Sequence, residues 1–70
     1  MMPLKLAECG EECIIRKIGG NAEIKKHLEN LGFVAGGSVT VVSQSAGNLI
    51  VSVKGARVAL GDSLADRIYI

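Results

Sequence analysis

With 70 residues the chain has room for one domain, and a domain of this length buries only about 60% of the surface that its unfolded form exposes. Apolar residues make up 49% of the chain but Phe33 and Tyr69 are the only aromatic ones, so the core must consist mainly of Val, Ile, Leu and Ala. The formal net charge of +1 excludes the basic excess with which nucleic-acid-binding domains of this size neutralise phosphates.

The first part of the chain is predicted to form two strands joined by a polar turn. The alternating sequence from Leu4 to Leu6 predicts the first strand. Residues 8–12 contain three carboxylates and a glycine, which is typical of a turn. The second strand is predicted over Cys13 to Ile18, with Ile14 and Ile18 on one face.

A helix is predicted from Ala22 to Leu31. Asn21 precedes it and is a suitable N-cap, because its side-chain oxygen can accept a hydrogen bond from a free amide of the first turn. One apolar stripe with helical spacing consists of Ile24, Leu28 and Leu31. Gly32 follows at the place where helices commonly end in a residue with positive φ.

From Gly36 and Gly37 onward the apolar period changes to two, which predicts strands over 38–42, 49–54 and 56–60. A loop is expected at 44–47 and a two-residue turn at Lys54 and Gly55. One helical turn is expected within 61–66, before a closing strand at 68–70. Closing such short strands into a barrel removes exposed sheet edges. The sequence therefore predicts a mainly β fold, a small antiparallel barrel of five or six strands with one inserted helix, in one domain spanning 1–70.

The segment from Leu28 to Gly36 has the order Leu, two variable residues, an apolar residue, Gly, an apolar residue, two more residues and Gly, and segments 38–42 and 54–60 follow it. In this order the segments resemble those of the FeoA family, small proteins encoded with the ferrous iron transporter FeoB. The resemblance covers nearly all of the chain. One departure is Cys9 before Gly10, where the family usually has Pro-Gly. The resemblance implies an SH3-like barrel without catalytic activity that supports or regulates bacterial ferrous iron uptake by contacting the cytoplasmic GTP-binding part of FeoB.

Two cysteines raise the question of a metal site. Cys9 and Cys13, together with His27 and a nearby glutamate, would supply ligands that suit Zn²⁺ or Fe²⁺. The C-x3-C spacing differs from the usual C-x2-C of zinc sites, and further soft ligands are missing. We therefore expect small half-buried or turn residues rather than ligands, and no resident metal or cofactor. A cytoplasmic location is expected, since the apolar runs are short and residues 1–10 lack the apolar stretch that a signal peptide needs, and a disulfide is accordingly not expected.

No constellation of catalytic residues is predicted. The glycines before the helix lack the Gly-Lys-Ser/Thr continuation of a nucleotide-binding loop. A single histidine cannot fill two catalytic roles, and Glu11 and Glu12 are adjacent, so on a strand they would point to opposite faces. The chain is therefore not expected to be an enzyme.

Candidate partner-binding residues lie on and just after the helix. Lys25 and Lys26 are expected on its outer face, His27 at the border of the apolar stripe, and Phe33 just beyond its end. Phe33 could anchor a partner, although filling the end of the barrel is the preferred interpretation because this core needs bulk. Should the helix face not be the contact surface, the loop at 44–48 is the next candidate.

Three functions from different classes remain at this point. The first is the accessory protein of ferrous iron uptake. The second is a KOW-like barrel that binds RNA or the ribosome, because the segment from Gly37 to Val42 resembles the start of such modules, although the basic and stacking aromatic residues of that class are missing. The third is a small metal or redox sensor that uses Cys9, Cys13 and His27.

Overall fold

Two antiparallel sheets form the fold in the computed structural model, which describes residues 1–70. The strands are β1 (Glu12–Ile14), β2 (Lys17–Ile18), β3 (Ser38–Ser45), β4 (Asn48–Val53), β5 (Ala56–Gly61) and β6 (Ile68–Tyr69). The larger sheet has the strand order β1-β3-β4-β5 and the smaller one pairs β2 with β6. The inserted helix is α1 (Ala22–Asn30), and a single turn, α2 (Asp62–Ala65), precedes β6. The predicted class, mainly β with antiparallel strands and one inserted helix, is confirmed.

The core consists of apolar residues from both sheets and from α1. Strand β4 buries every second residue, as the period of two predicts. The first half of β3 shows the same alternation. The fully or almost fully buried residues of these strands are Val39, Val41, Leu49, Val51 and Val53. No helix of the chain is long and apolar enough to cross a membrane.

Helix α1 begins at Ala22, as predicted, and ends at Asn30, one residue before the predicted end at Leu31. The Asn21 side-chain oxygen accepts a hydrogen bond from the Ile24 amide at 2.9 Å. At the other end Gly32 has a φ of +105°, and its amide donates to the Glu29 carbonyl at 2.9 Å. The Phe33 amide donates to the Leu28 carbonyl, also at 2.9 Å, which completes a Schellman motif. Leu28 is buried, whereas Ile24 and Leu31 are half-buried.

The hairpin between β4 and β5 has the predicted two-residue turn. Lys54 and Gly55 both have positive φ, +50° and +78°, and this conformation matches the twist of the two strands. Opposite each other across the hairpin lie Val53 and Ala56, Val51 and Val58, and Leu49 and Leu60. Along β5 the inward side chains become more buried toward Leu60, while Arg57 is exposed as expected.

The predicted first strand is wrong, because residues Leu4–Leu6 form a turn of 3-10 helix. The amides of Leu6 and Ala7 donate to the carbonyls of Pro3 and Leu4 at 3.0 and 2.9 Å. Leu4 and Ala7 are buried, whereas Leu6 is 62% exposed. The relevant spacing is therefore three residues rather than two, as in a 3-10 helix.

The predicted second strand is two strands in the structure, and Ile14 and Ile18 do not share a face, because Ile18 packs against the core and Ile14 does not. Ile15 is 1% exposed, whereas Ile14 is 51% exposed. At this point the chain changes its pairing partner: the Ile15 amide donates to the Gly37 carbonyl beside β3, and the Arg16 amide donates to the Tyr69 carbonyl in β6. In and just after β1, half-buried Cys13 and buried Ile15 therefore face inward, and Ile14 faces solvent.

The predicted loop at 44–47 is shorter in the structure. Strand β3 continues to Ser45, and its register to β4 shifts between Val41 and Ser43, which marks a β-bulge at Val42. Only Ala46 and Gly47 remain outside strands.

Candidate functional site

An open groove of about 510 Å³ lies beside β1. Its walls come from the start of the chain, from the segment that contains β1, and from the residue after β6. The lining residues are Met1, Met2, Glu11, Glu12, Cys13, Ile14, Arg16 and Ile70. The first residues reach this place because the backbones of Met2 and Ile70 exchange two hydrogen bonds, at 3.1 and 2.9 Å.

The groove collects most of the large apolar side chains that are exposed to solvent. Met1 is 77% exposed, Met2 is 42% exposed and Ile14 is half exposed, and only Leu6 has comparable exposure outside the groove. Isolated exposed apolar residues are ordinary, but several of them beside one groove are typical of an interaction surface.

One wall of the groove is the unpaired backbone edge of β1. In an extended strand, alternate residues direct their N–H and C=O groups to opposite sides. The Ile15 backbone bonds to Gly36 and Gly37 on the β3 side. The Arg16 amide bonds to β6 on the other side. Glu12 and Ile14 lie four and two residues before Arg16, so their backbone groups point to the same side as the Arg16 amide. Strand β1 pairs only with β3, so the backbone groups of Glu12 and Ile14 have no strand partner.

Three charged side chains line the groove, and none of them has an ionic partner within the chain. The only ion pair of the protein is between Lys5 and Asp66, at 2.8 Å. Glu11, Glu12 and Arg16 are exposed and form no ion pair. The groove therefore carries two free carboxylates next to its apolar residues.

The structure does not bring the candidate metal ligands together. No group of three or more His, Cys, Asp and Glu side chains is arranged to hold a metal ion. Cys9 is exposed, and Cys13 is half-buried with its Sγ 3.7 Å from the Glu11 carbonyl oxygen. Burial raises the pKa of the Cys13 thiol, and the nearby charges of Glu11 and Glu12 raise it further. At neutral pH the thiol is therefore mostly protonated, and it is a weaker nucleophile than a thiolate.

The candidate residues on α1 lie apart from the groove. Lys25 and Lys26 are exposed, and His27, which was expected at the border of the apolar stripe, is exposed as well. Phe33, named above as a candidate partner contact, is 1% exposed and is the largest fully buried side chain of the protein. It fills the core because the turn at Gly32 directs it inward beside Leu28, and it is not accessible to a partner.

One feature of the sequence indicates an exposed apolar residue at the groove, although the sequence analysis did not predict it. Cys13, Ile14 and Ile15 are three consecutive apolar residues in a segment that is predicted to be a strand. Because neighbouring residues of a strand face opposite sides, these residues cannot all point into the core. Nothing in the sequence showed that Met1, Met2 and Ile70 would lie beside Ile14.

Comparison with known proteins assigns the chain to a family. The family model described as FeoA domain matches residues 2–70. A Methanocaldococcus jannaschii protein named for Fe(2+) transport is 34% identical over the whole chain, which covers 85% of that protein. A crystal structure of an iron uptake regulatory protein (FeoA) superposes with a TM-score of 0.86 and 33% identity, over 96% of this chain and 89% of that one.

A second structure, of Stenotrophomonas maltophilia FeoA complexed with zinc, is described as a procaryotic SH3 domain protein. It is similar with a TM-score of 0.83 and 28% identity, over 99% of this chain and 88% of that one. These similarities confirm the SH3-like fold, and with the match over residues 2–70 they lead to one conclusion: the chain belongs to the FeoA family.

Proposed function

We propose that this protein is a non-enzymatic accessory protein of ferrous iron uptake that binds the cytoplasmic part of a FeoB-type transporter. The observation that carries the proposal is the family match, which covers residues 2–70 and includes a relative named for Fe(2+) transport. This family match favours iron uptake over RNA binding. The net charge of only +1 also argues against RNA binding, because RNA-binding domains use positive charge to neutralise phosphates.

The distribution of functional groups supports binding rather than catalysis. The titratable groups of the groove form no acid and base pair around a closed cavity, and the one thiol in it has a raised pKa. The polar groups are instead spread over open surfaces, where a protein partner can reach them. On this proposal the protein works in the cytoplasm, where the GTP-binding part of the transporter lies.

The exposed face of α1 is one candidate contact surface. Lys25, Lys26 and His27 are consecutive and accessible within one turn of α1, and no carboxylate within the chain pairs with either lysine. Cations on such a surface commonly accelerate and orient association with an acidic partner.

Titration calorimetry with the isolated cytoplasmic part of the transporter tests the proposal. We expect saturable binding of the wild-type protein. The double substitution Lys25→Glu with Lys26→Glu should weaken binding if α1 takes part, and the double substitution Arg57→Glu with Arg67→Glu, on exposed residues outside α1, is the matched charge control. The absence of any binding by the wild-type protein would contradict the proposed function.

A further inference from the structure

The groove beside β1 has the features of a site for strand addition. Its edge offers two N–H groups and two C=O groups, those of Glu12 and Ile14, at alternate positions of one strand. An unpaired edge of this kind binds an extended segment through main-chain hydrogen bonds, while neighbouring side chains select its sequence. The exposed side chains of Met1, Met2 and Ile14 lie next to this edge and offer apolar contacts.

The direction of an added strand follows from the path of β6. Strand β6 pairs antiparallel with β2, on the same side of the chain as the free edge of β1. The last residue of this line, Ile70, lines the groove. A segment placed on the edge of β1 therefore continues the line of β6 and runs antiparallel to β1.

The side chains of the edge indicate which residues such a segment carries. Glu12 and Ile14 are two residues apart, so both point outward on the same face. Glu12 has no ionic partner, which favours a Lys or Arg beside it, and Ile14 favours an apolar neighbour. In the added segment, the residue between the neighbours of Glu12 and Ile14 lies opposite half-buried Cys13 and points inward, so it is expected to be apolar as well.

We propose that this groove binds an extended segment of a partner protein, with an apolar-apolar-basic sequence, as an antiparallel strand on β1. The assignment of that segment to the cytoplasmic part of the transporter rests on the proposed function. The binding mode itself rests on the free backbone edge, the exposed apolar residues and the unpaired carboxylates of the groove.

The test uses the full chain labelled with ¹⁵N and the peptide acetyl-Thr-Val-Val-Lys-Thr-amide. The amides of Glu12 and Ile14 should show the largest chemical-shift changes and gain protection from hydrogen exchange. The reversed peptide acetyl-Thr-Lys-Val-Val-Thr-amide has the same composition and should bind more weakly by about tenfold, because its Lys would lie beside Ile14. Equal binding of both peptides, or no change at Glu12 and Ile14, overturns the proposal.

Two substitutions examine the backbone and the charge separately. Ile14→Pro removes an N–H that points away from β3, so the β1–β3 pairing should persist. It should abolish peptide binding, whereas Ile14→Ala keeps the N–H and should retain part of the affinity. Glu12→Lys should reverse the preference toward acetyl-Thr-Val-Val-Glu-Thr-amide. This charge exchange tests the site even if Ile14→Pro fails to fold, and an unchanged preference contradicts it.

The same variants, titrated with the cytoplasmic part of the transporter, separate this inference from the proposed function. Loss of transporter binding in Ile14→Pro, with binding retained in the α1 double variant, supports the groove as the contact surface. Equal binding by wild type and Ile14→Pro overturns this assignment and leaves the proposed function intact. Peptide binding at the groove without any transporter binding supports strand addition and contradicts the proposed function.

Discussion

Replacing Phe33 by Ala removes the largest buried side chain of the protein, and the structure gives a magnitude for the loss. Phe33 is 1% exposed and lies in the same apolar cluster as Leu28, to whose carbonyl its amide is bonded. Truncating a buried Phe to Ala costs about 3–5 kcal/mol. At roughly 0.05–0.15 kcal/mol per residue, a chain of this size has a free energy of unfolding of about 4–10 kcal/mol. The substitution should therefore remove a third or more of the stability.

Urea unfolding followed by circular dichroism measures this loss. With a slope of about 1 kcal/mol per molar urea, the midpoint should fall by about 3 M or the variant should already be unfolded in water. Phe33→Leu keeps most of the apolar volume and should lose much less. Leu6→Ala is the matched control, since Leu6 is 62% exposed and its loss should stay within about 0.5 kcal/mol.

A clear result would refute the assignment of Phe33 to the core. If Phe33→Ala lowered the free energy of unfolding by less than about 1 kcal/mol, the side chain could not be buried as described. If the same variant also lost binding to the transporter, the alternative that Phe33 anchors a partner would replace the present interpretation.

Four further predictions concern local features of the chain. Gly32→Ala should cost about 1–2 kcal/mol in urea unfolding because the φ of +105° strains any other residue, whereas Gly61→Ala, with φ of −66° and open space around it, should change little. Asn21→Ala should lose about 1 kcal/mol and Asn21→Asp should recover most of it, as thermal unfolding will show, since the side-chain oxygen caps α1. The double substitution of Cys9 and Cys13 by Ser should fold and should not respond to chelator; chelator-induced unfolding of the wild type would contradict this. In timed alkylation with iodoacetamide near neutral pH, Cys9 should react before Cys13, whose thiol is half-buried and has a raised pKa.

Local sequence signals predicted the parts of the fold in which one interaction dominates. Asn21 and Gly32 marked the ends of α1, and Lys54 and Gly55 marked the hairpin between β4 and β5. The strict period of two identified the inward face of β4. These features depend on residues close together in the chain, so the sequence contains the information directly.

The first eighteen residues were predicted less well, because their structure depends on distant partners. Leu-Lys-Leu has the alternation of a strand, yet burial of Leu4 together with Ala7 favours a 3-10 turn. The shared face predicted for Ile14 and Ile18 was wrong, because the chain changes its pairing partner after Ile15, which bonds to Gly36 and Gly37 more than twenty positions away. Two adjacent isoleucines gave no local preference for either face.

The candidate site had the same dependence on distant residues. The groove forms where the start of the chain, β1 and Ile70 meet, and hydrogen bonds between Met2 and Ile70 hold two of these parts together. No motif spans them. Of the predicted partner contacts, Lys25, Lys26 and His27 all lie on α1. Helical spacing alone was sufficient to predict that the two lysines would be exposed.

Uptake of radioactive ferrous iron by cells is the measurement that tests the central claim most directly. Cells that keep the transporter but lack this protein should take up iron at a different rate from wild-type cells, and the wild-type gene should restore the original rate. The variant Ile14→Pro, produced at the same level and folded, should fail to restore it, whereas Leu6→Ala, altered at an exposed apolar residue outside the groove, should succeed. An uptake rate that is the same with and without the protein would contradict the account.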